Sequence, residues 1–275
     1  MAKDTYSLTF LGVGSGLNPA LGNTNVLLES ADGTETLLLD CGYTAPPRLK
    51  ELGLLKAIRH IFITHVHMDH AGGLELLADF HKYVFGQKPH LYFPAPMYRE
   101  LWEGSLRGGL EASMDEAGRP LSMGLDDYFH VHRLGEQEAV RVPGLPALTF
   151  RSTLHIPGKP AYAVFLGDDV YYSSDTVEMP PETGPTGRPL RVIYQDCQLE
   201  HHQSNVHVTL PQLEADLPPE TKAKTWLTHY SEGAERYNIQ AMGFAGFVEP
   251  MQRFVYPLAA EPVGISGEAG PSRVS

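Results

Sequence analysis

Apolar residues recur along this chain in short bursts, separated by breaks rich in glycine and proline. Tyr6-Ser7-Leu8-Thr9-Phe10-Leu11 alternates apolar and polar positions and predicts a first strand. Two further β-forming runs, residues 25–29 and 36–40, flank Asp32-Gly33 and predict a hairpin. The Asp40-Cys41-Gly42 turn leads to a helix expected over roughly residues 46–54. Arg59-His60-Ile61-Phe62-Ile63 reads as a short buried strand, and residues 74–80 have the length and composition of a helix. Beyond it the pattern predicts a strand at 91–93 and a helix over 97–106. Strands follow at 127–133, 139–142, 147–154, 170–175, 192–194 and 225–228, with a short helix at 210–217. Both halves run from strands to helices, without obvious sequence repetition.

Between the strand at 59–63 and the helix at 74–80 stands Thr64-His65-Val66-His67-Met68-Asp69-His70-Ala71-Gly72-Gly73. Imidazole nitrogens and a carboxylate at this density suit zinc or a similar divalent ion. His65 and His67 share a side through the strand period of two, whereas Asp69 and His70 come after the backbone turns. One turn can therefore feed two metal ions. A histidine-rich surface loop is the plain alternative, and the strand–motif–Gly-Gly–helix context speaks against it. Gly12-Val13-Gly14-Ser15-Gly16 invites a dinucleotide reading. Its spacing is wrong, and Asn18-Pro19 stands where a helix should begin, so a tight glycine turn is expected instead.

The totals narrow the partners. At 275 residues the chain suits one large domain or two small ones, and 22 prolines with 27 glycines suit a loop-rich globular protein. No apolar run approaches the roughly eighteen residues of a membrane span, and the N-terminus lacks the basic-then-apolar order of a secretory signal. Cys41 and Cys197 give no disulfide framework, which fits a cytoplasmic location. A formal charge of −12 argues against a protein that tracks a long nucleic-acid backbone. Residues 107–128 are rich in Gly, Met, Asp and Pro and read as a surface excursion or as a lid. Beyond Met251 the chain turns Pro-, Gly-, Glu- and Ser-rich, so one domain over 1–256 and a flexible tail over 257–275 are expected.

The H-x-H-x-D-H-x-G-G motif resembles the metallo-β-lactamase superfamily, whose ligands continue downstream in the order His, Asp, His. His155, Asp175 and His229 appear in that order, each where a predicted strand runs into a loop. The resemblance implies an α/β fold, the αββα sandwich of two mixed sheets flanked by helices. It implies a first ion held by His65, His67 and His155, a second by Asp69, His70 and His229, and Asp175 bridging both. A hydroxide shared by the ions would be the nucleophile. Asp40 would support the ligands from beneath. Zinc is the expected metal, with manganese the alternative. The remaining histidines (60, 81, 90, 130, 132, 201 and 202) lack this context and are expected on the surface or in the core.

Asp196 and His207 resemble the acid–His pair of ribonuclease Z and its cyclic-nucleotide phosphodiesterase relatives, with Asp in place of the more usual Glu. There the His is a proton donor to the leaving oxygen; the plain alternative is a residue that merely precedes a helix capped by Thr209. Residues 18–25 and 101–109 add to the likeness, which spans roughly residues 5–232. Compact members of this kind include the anti-Pycsar phosphodiesterases, which degrade cyclic mononucleotides. In that group a homodimer covers each active site with the partner's loop, here residues 107–128. The implied reaction is hydrolysis of a small 3′,5′-cyclic nucleotide, with Asp69, His207 and Asp196 as catalytic residues. A ribonuclease Z-like tRNA 3′-processing enzyme, a lactone or thioester hydrolase and a metal-bound sequestering module are the alternatives.

Overall fold

The computed structural model describes residues 4–199 and 205–258. His201, His202 and nearly all of the expected tail lie outside the described residues. The first sheet begins with β1 (Thr5–Gly12), β2 (Asn25–Ser30), β3 (Thr36–Leu39), β4 (His60–Phe62) and β5 (His90–Pro94). A separate hairpin, β6 (Ala112–Met114) with β7 (Pro120–Ser122), precedes β8 (His130–Leu134), which rejoins the first sheet. The second sheet comprises β9 (Leu148–Ser152), β10 (Tyr162–Leu166), β11 (Val170–Tyr172), β12 (Val192–Asp196), β13 (Thr225–Thr228) and β14 (Gly246–Phe247). The last strand, β15 (Arg253–Pro257), pairs antiparallel with β1, Thr5 opposite Pro257.

Each sheet is antiparallel at one end and parallel at the other: β3–β4–β5–β8 in the first, β11–β12–β13–β14 in the second. The parallel strands are short apolar runs such as Leu37-Leu38-Leu39 and Ile61-Phe62, buried on both faces, as strands covered on two sides require. The two inner faces meet through aromatic contacts, Phe10 on Tyr194 (4.8 Å) and Phe62 on Phe150 (5.7 Å). This is the expected sandwich. Ligands of α/β sheets gather at the carboxyl ends of parallel strands. Here those ends carry Asp40, the histidine motif, Asp175, Asp196 and His229.

Several elements differ from the pattern-based expectation. Asp69 and His70 sit on a one-turn helix, α1 (Met68–Ala71), so the motif is already helical before Gly72. The helix expected over 97–106 is wound through wider π-type turns at Arg99–Leu106 and continues to Leu110. Residues 139–142 form only one bridge, Val140 opposite Leu148. Residues 107–128, expected as a surface excursion or a lid, contain the β6–β7 hairpin. Among the described residues no helix is long and apolar enough to cross a membrane.

Candidate metal centre

The motif's entry and exit are fixed by one buried carboxylate. Asp40 Oδ1 accepts from the Thr64 backbone N–H (2.8 Å), and Oδ2 accepts from Thr64 Oγ1 (2.8 Å) and His70 Nδ1 (2.8 Å). Asn25 ties the same turn from below: its amide donates to the Asp69 carbonyl (3.1 Å) and its Oδ1 accepts from the Gly42 N–H (3.0 Å). Gly42 lies so close to the Asp69 backbone that a Cβ would occupy the space of that carbonyl. Three non-glycine residues here have left-handed backbone: Asp40 (φ 62°), Ser174 (φ 53°) and His229 (φ 59°). Such conformations cost of order 1–3 kcal/mol each and persist where the surroundings over-determine them.

The seven residues singled out from sequence form two adjoining clusters. In the first, His65 Nε2 and His155 Nε2 each lie 3.1 Å from His67 Nδ1, and Asp175 Oδ2 is 3.7 Å from both His65 and His155. In the second, His229 Nε2 and His70 Nε2 lie 3.1 and 3.4 Å from Asp69 Oδ2, while Asp175 Oδ1 is 3.1 Å from His70 and 3.4 Å from His229. Asp175 thus turns one oxygen to each cluster. In each set the donor atoms lie within 4.8 Å of one another. His70 Nε2 and Asp175 Oδ1 are buried without a hydrogen-bond partner among the described residues, although they face each other. Such stranded donors fit a shared cation.

Electrostatics separates the clusters. Burial and the nearby His70 push His65 well below the ordinary histidine range; burial and His155 lower His67. Burial likewise lowers His155, so the first cluster presents neutral imidazoles with free lone pairs. In the second, burial would lower His70, but Asp175, Asp69 and Asp40 outweigh it and raise it well above its usual value. His229 is pushed up to about 10 by Asp175 and Asp196 against the effect of burial. This carboxylate-rich cluster favours positive charge, and Asp69, His70, Asp175 and His229 would meet that need by holding a divalent ion in place of protons.

Asp196, the last residue of β12, lies against His207: Nδ1 donates to Oδ2 at 2.7 Å. The shorter carboxylate therefore does reach its partner. Burial alone would lower His207, but Asp196 raises it. Thr209 caps the helix α2 (Leu210–Asp216), and His207 stands outside it, two residues before that cap. Asp175, Asp196, His207 and His229 also satisfy a metal-like spacing, but the Nδ1 atoms of both imidazoles face Asp196 at 2.7 and 3.3 Å, an arrangement for proton sharing.

An open cleft of about 430 Å³ lies over both clusters, with Met68 and Leu17 exposed at its mouth. Gly16 lines it, 3.0 Å from the Asp69 carboxylate as measured from a Cβ placed there. The glycine turn after β1 is thus part of the site's wall, which its spacing alone does not reveal. Ser174 belongs to no motif in the sequence, and the stretches 12–16 and 18–25 that contain Gly16 and Asn25 do not themselves point to Asp69 or Gly42. No residue of the 107–128 segment lines this cleft.

The other histidines have a different arrangement. His81 is buried, its Nε2 against the Leu55 carbonyl (3.0 Å). His60, His90 and His130 stand side by side across β4, β5 and β8, with Tyr92 and His132 in the next row.

Comparison with known proteins decides the family. A family model described as anti-Pycsar protein Apyc1 matches residues 6–254. The chain belongs to the anti-Pycsar Apyc1 family. It is 37% identical over 233 residues to anti-Pycsar protein Apyc1 of Paenibacillus sp. (strain J14), covering 84% of this chain and 91% of that one. Among solved structures, the metallo-β-lactamase fold protein YhfI of Bacillus subtilis superposes with TM-score 0.70 at 17% identity, over 92% of this chain and all of YhfI. The short form of human tRNase Z gives TM-score 0.59 at 21% identity, over 90% and 98% of the two chains. The fold is that of the metallo-β-lactamases, and family and site together make the chain a hydrolase.

Proposed function

We propose that this family member is a two-metal phosphodiesterase that opens 3′,5′-cyclic mononucleotides. The observation that carries the reading is the meeting, in one open cleft, of two ligand clusters sharing Asp175 with the Asp196–His207 pair beside them. His65, His67, His155 and Asp175 would hold one divalent ion, and Asp69, His70, His229 and Asp175 the other. Zinc suits this histidine-rich set, with manganese the alternative. Bound ions supply charge neutralisation at the phosphoryl oxygens and activation of water.

The chain's own residues do the rest. Asp196 keeps the His207 proton on Nδ1 and favours the imidazolium, leaving Nε2–H free to protonate the departing ribose oxygen. The Asp40 and Asn25 contacts fix Asp69 and His70 in place before substrate arrives. Leu17 and Met68 give a flat base an apolar surface at the mouth. A cyclic mononucleotide fits the cleft without a basic track, which a net charge of −12 does not offer to tRNA. Ester hydrolysis in place of phosphodiester hydrolysis leaves the Asp196–His207 pair without a task.

The hairpin β6–β7 exposes Met114 and Leu121 and does not line the cleft over its own chain's metal centre. This supports a homodimer, each hairpin closing over the other copy's site, which light scattering checks. A cytoplasmic location suits such a substrate.

The deciding experiment is turnover of metal-replete protein on cAMP, cGMP, cCMP and cUMP, with Asp69→Ala as control. Hydrolysis lost in the control, and slowed by roughly 10²–10⁴-fold in His207→Ala, is expected. Activity confined to a tRNA precursor or an acyl ester would overturn the substrate.

A further inference from the structure

We infer that Asp196 is a positioning residue for the second ligand cluster as well as for His207; this rests on the two-ion reading above. Asp196 is buried. Its Oδ2 is saturated, accepting from His207 Nδ1 (2.7 Å) and from the Thr176 backbone N–H (2.9 Å). Its Oδ1 completes no hydrogen bond among the described residues, and His229 Nδ1 lies 3.3 Å from it. The opposite nitrogen of that ring, Nε2, faces Asp69 and Asp175. The imidazole of His229 therefore spans the gap between Asp196 and the second cluster.

A histidine that gives Nε2 to a metal must keep its proton on Nδ1, and that buried N–H needs an acceptor. His70 has Asp40 for this purpose, and His155 has the Val206 carbonyl at 2.7 Å. For His229 the unpartnered Oδ1 of Asp196 is the group in place. The His207 and His229 rings also stack, with centroids 5.0 Å apart. One carboxylate thus fixes the tautomer of two adjacent rings with different tasks, one oxygen for each. Removing its charge should loosen an ion as well as disarm the proton donor.

The test counts metal rather than product. Wild type, Asp196→Asn and His207→Ala are loaded with zinc, titrated with a competing chelator and analysed by atomic emission. Asp196→Asn is expected to weaken one of the two ions by roughly 10–100-fold and leave the other unchanged. His207→Ala should retain both at wild-type affinity. Asp196→Asn holding both ions as tightly as wild type would overturn the inference, as would loss of the same ion from His207→Ala. If Asp196→Asn does not fold, nitrogen-correlated NMR of the zinc-loaded wild type decides. An Nδ1-protonated His229 with a downfield, slowly exchanging proton is expected; the other tautomer sinks the inference. Neither readout involves a nucleotide, so failure on cyclic nucleotides would strike the substrate alone. A wild type that takes up no zinc would overturn both.

Discussion

Among the described residues histidine gathers in two places, and one of the two is built to hold a metal. Around Asp175, five imidazoles from three distant stretches converge with two carboxylates, and their nitrogens point inward. On β4, β5 and β8, four imidazoles lie in rows. His60 and His90 stack 4.9 Å apart at 16°, and Tyr92 stacks on His132 at 4.3 Å. His90 Nδ1 and His132 Nε2 satisfy one another at 2.8 Å, while His60 is occupied by Tyr92 and Glu35. Among the described residues the row offers no three His, Cys, Asp or Glu donor atoms within 4.8 Å of each other. Parallel rings on neighbouring strands aim their nitrogens along the sheet, whereas rings on loops at strand ends can turn toward one point. Convergence, not abundance, makes a metal site.

The sharpest way to break this contrast is to count ions. Dialysis against a chelator should abolish turnover and remove about 4 kcal/mol of stability for each zinc ion that had stood at roughly a thousandfold over its Kd. Reconstitution should return two ions per chain, and a third would place metal on the histidine row. The next effect is that of Asp40→Ala. It strands the Thr64 and His70 donors in the interior, at a cost of about 3–5 kcal/mol. A melt lowered by roughly 2–4 °C per kcal/mol checks it.

The smallest effect belongs to the row itself. Burial, with His60 and the other histidines beside it, lowers His90 to about 4 from an ordinary 6.5. Between those values the unfolded chain binds a proton that the folded chain refuses, so stability falls as pH drops from about 6.5 toward 4. His90→Gln should narrow the difference in melting temperature between pH 7 and pH 5 while leaving turnover at neutral pH within about twofold. An unchanged difference would show that the row does not sense pH.

Much of this was legible in the sequence because its signals are local. The run His65 to His70 needs only six residues to declare itself, and His155, Asp175 and His229 each follow an apolar strand. What stayed hidden depends on partners far away in the chain. Gly16 owes its importance to Asp69, Asn25 to Gly42, and the second oxygen of Asp196 to His229. The strand β15 escaped because Arg253-Phe254-Val255-Tyr256 adjoins a Pro- and Gly-rich stretch that reads as tail. Residues 139–142 looked like a strand by composition, but only Val140 finds a partner.

The pairing of β15 with β1 has a consequence for how the protein is made. Thr5 and Tyr6 leave the ribosome early, but their partners Pro257 and Tyr256 emerge only after both sheets have been synthesised. Until then one side of β1 is an open row of backbone donors and acceptors, the kind of edge that recruits foreign strands. Closing it is a contact of very high sequence separation, so it should be among the late, slow events of folding. The nascent chain would carry its metal-binding histidines well before the sheet beneath them is sealed.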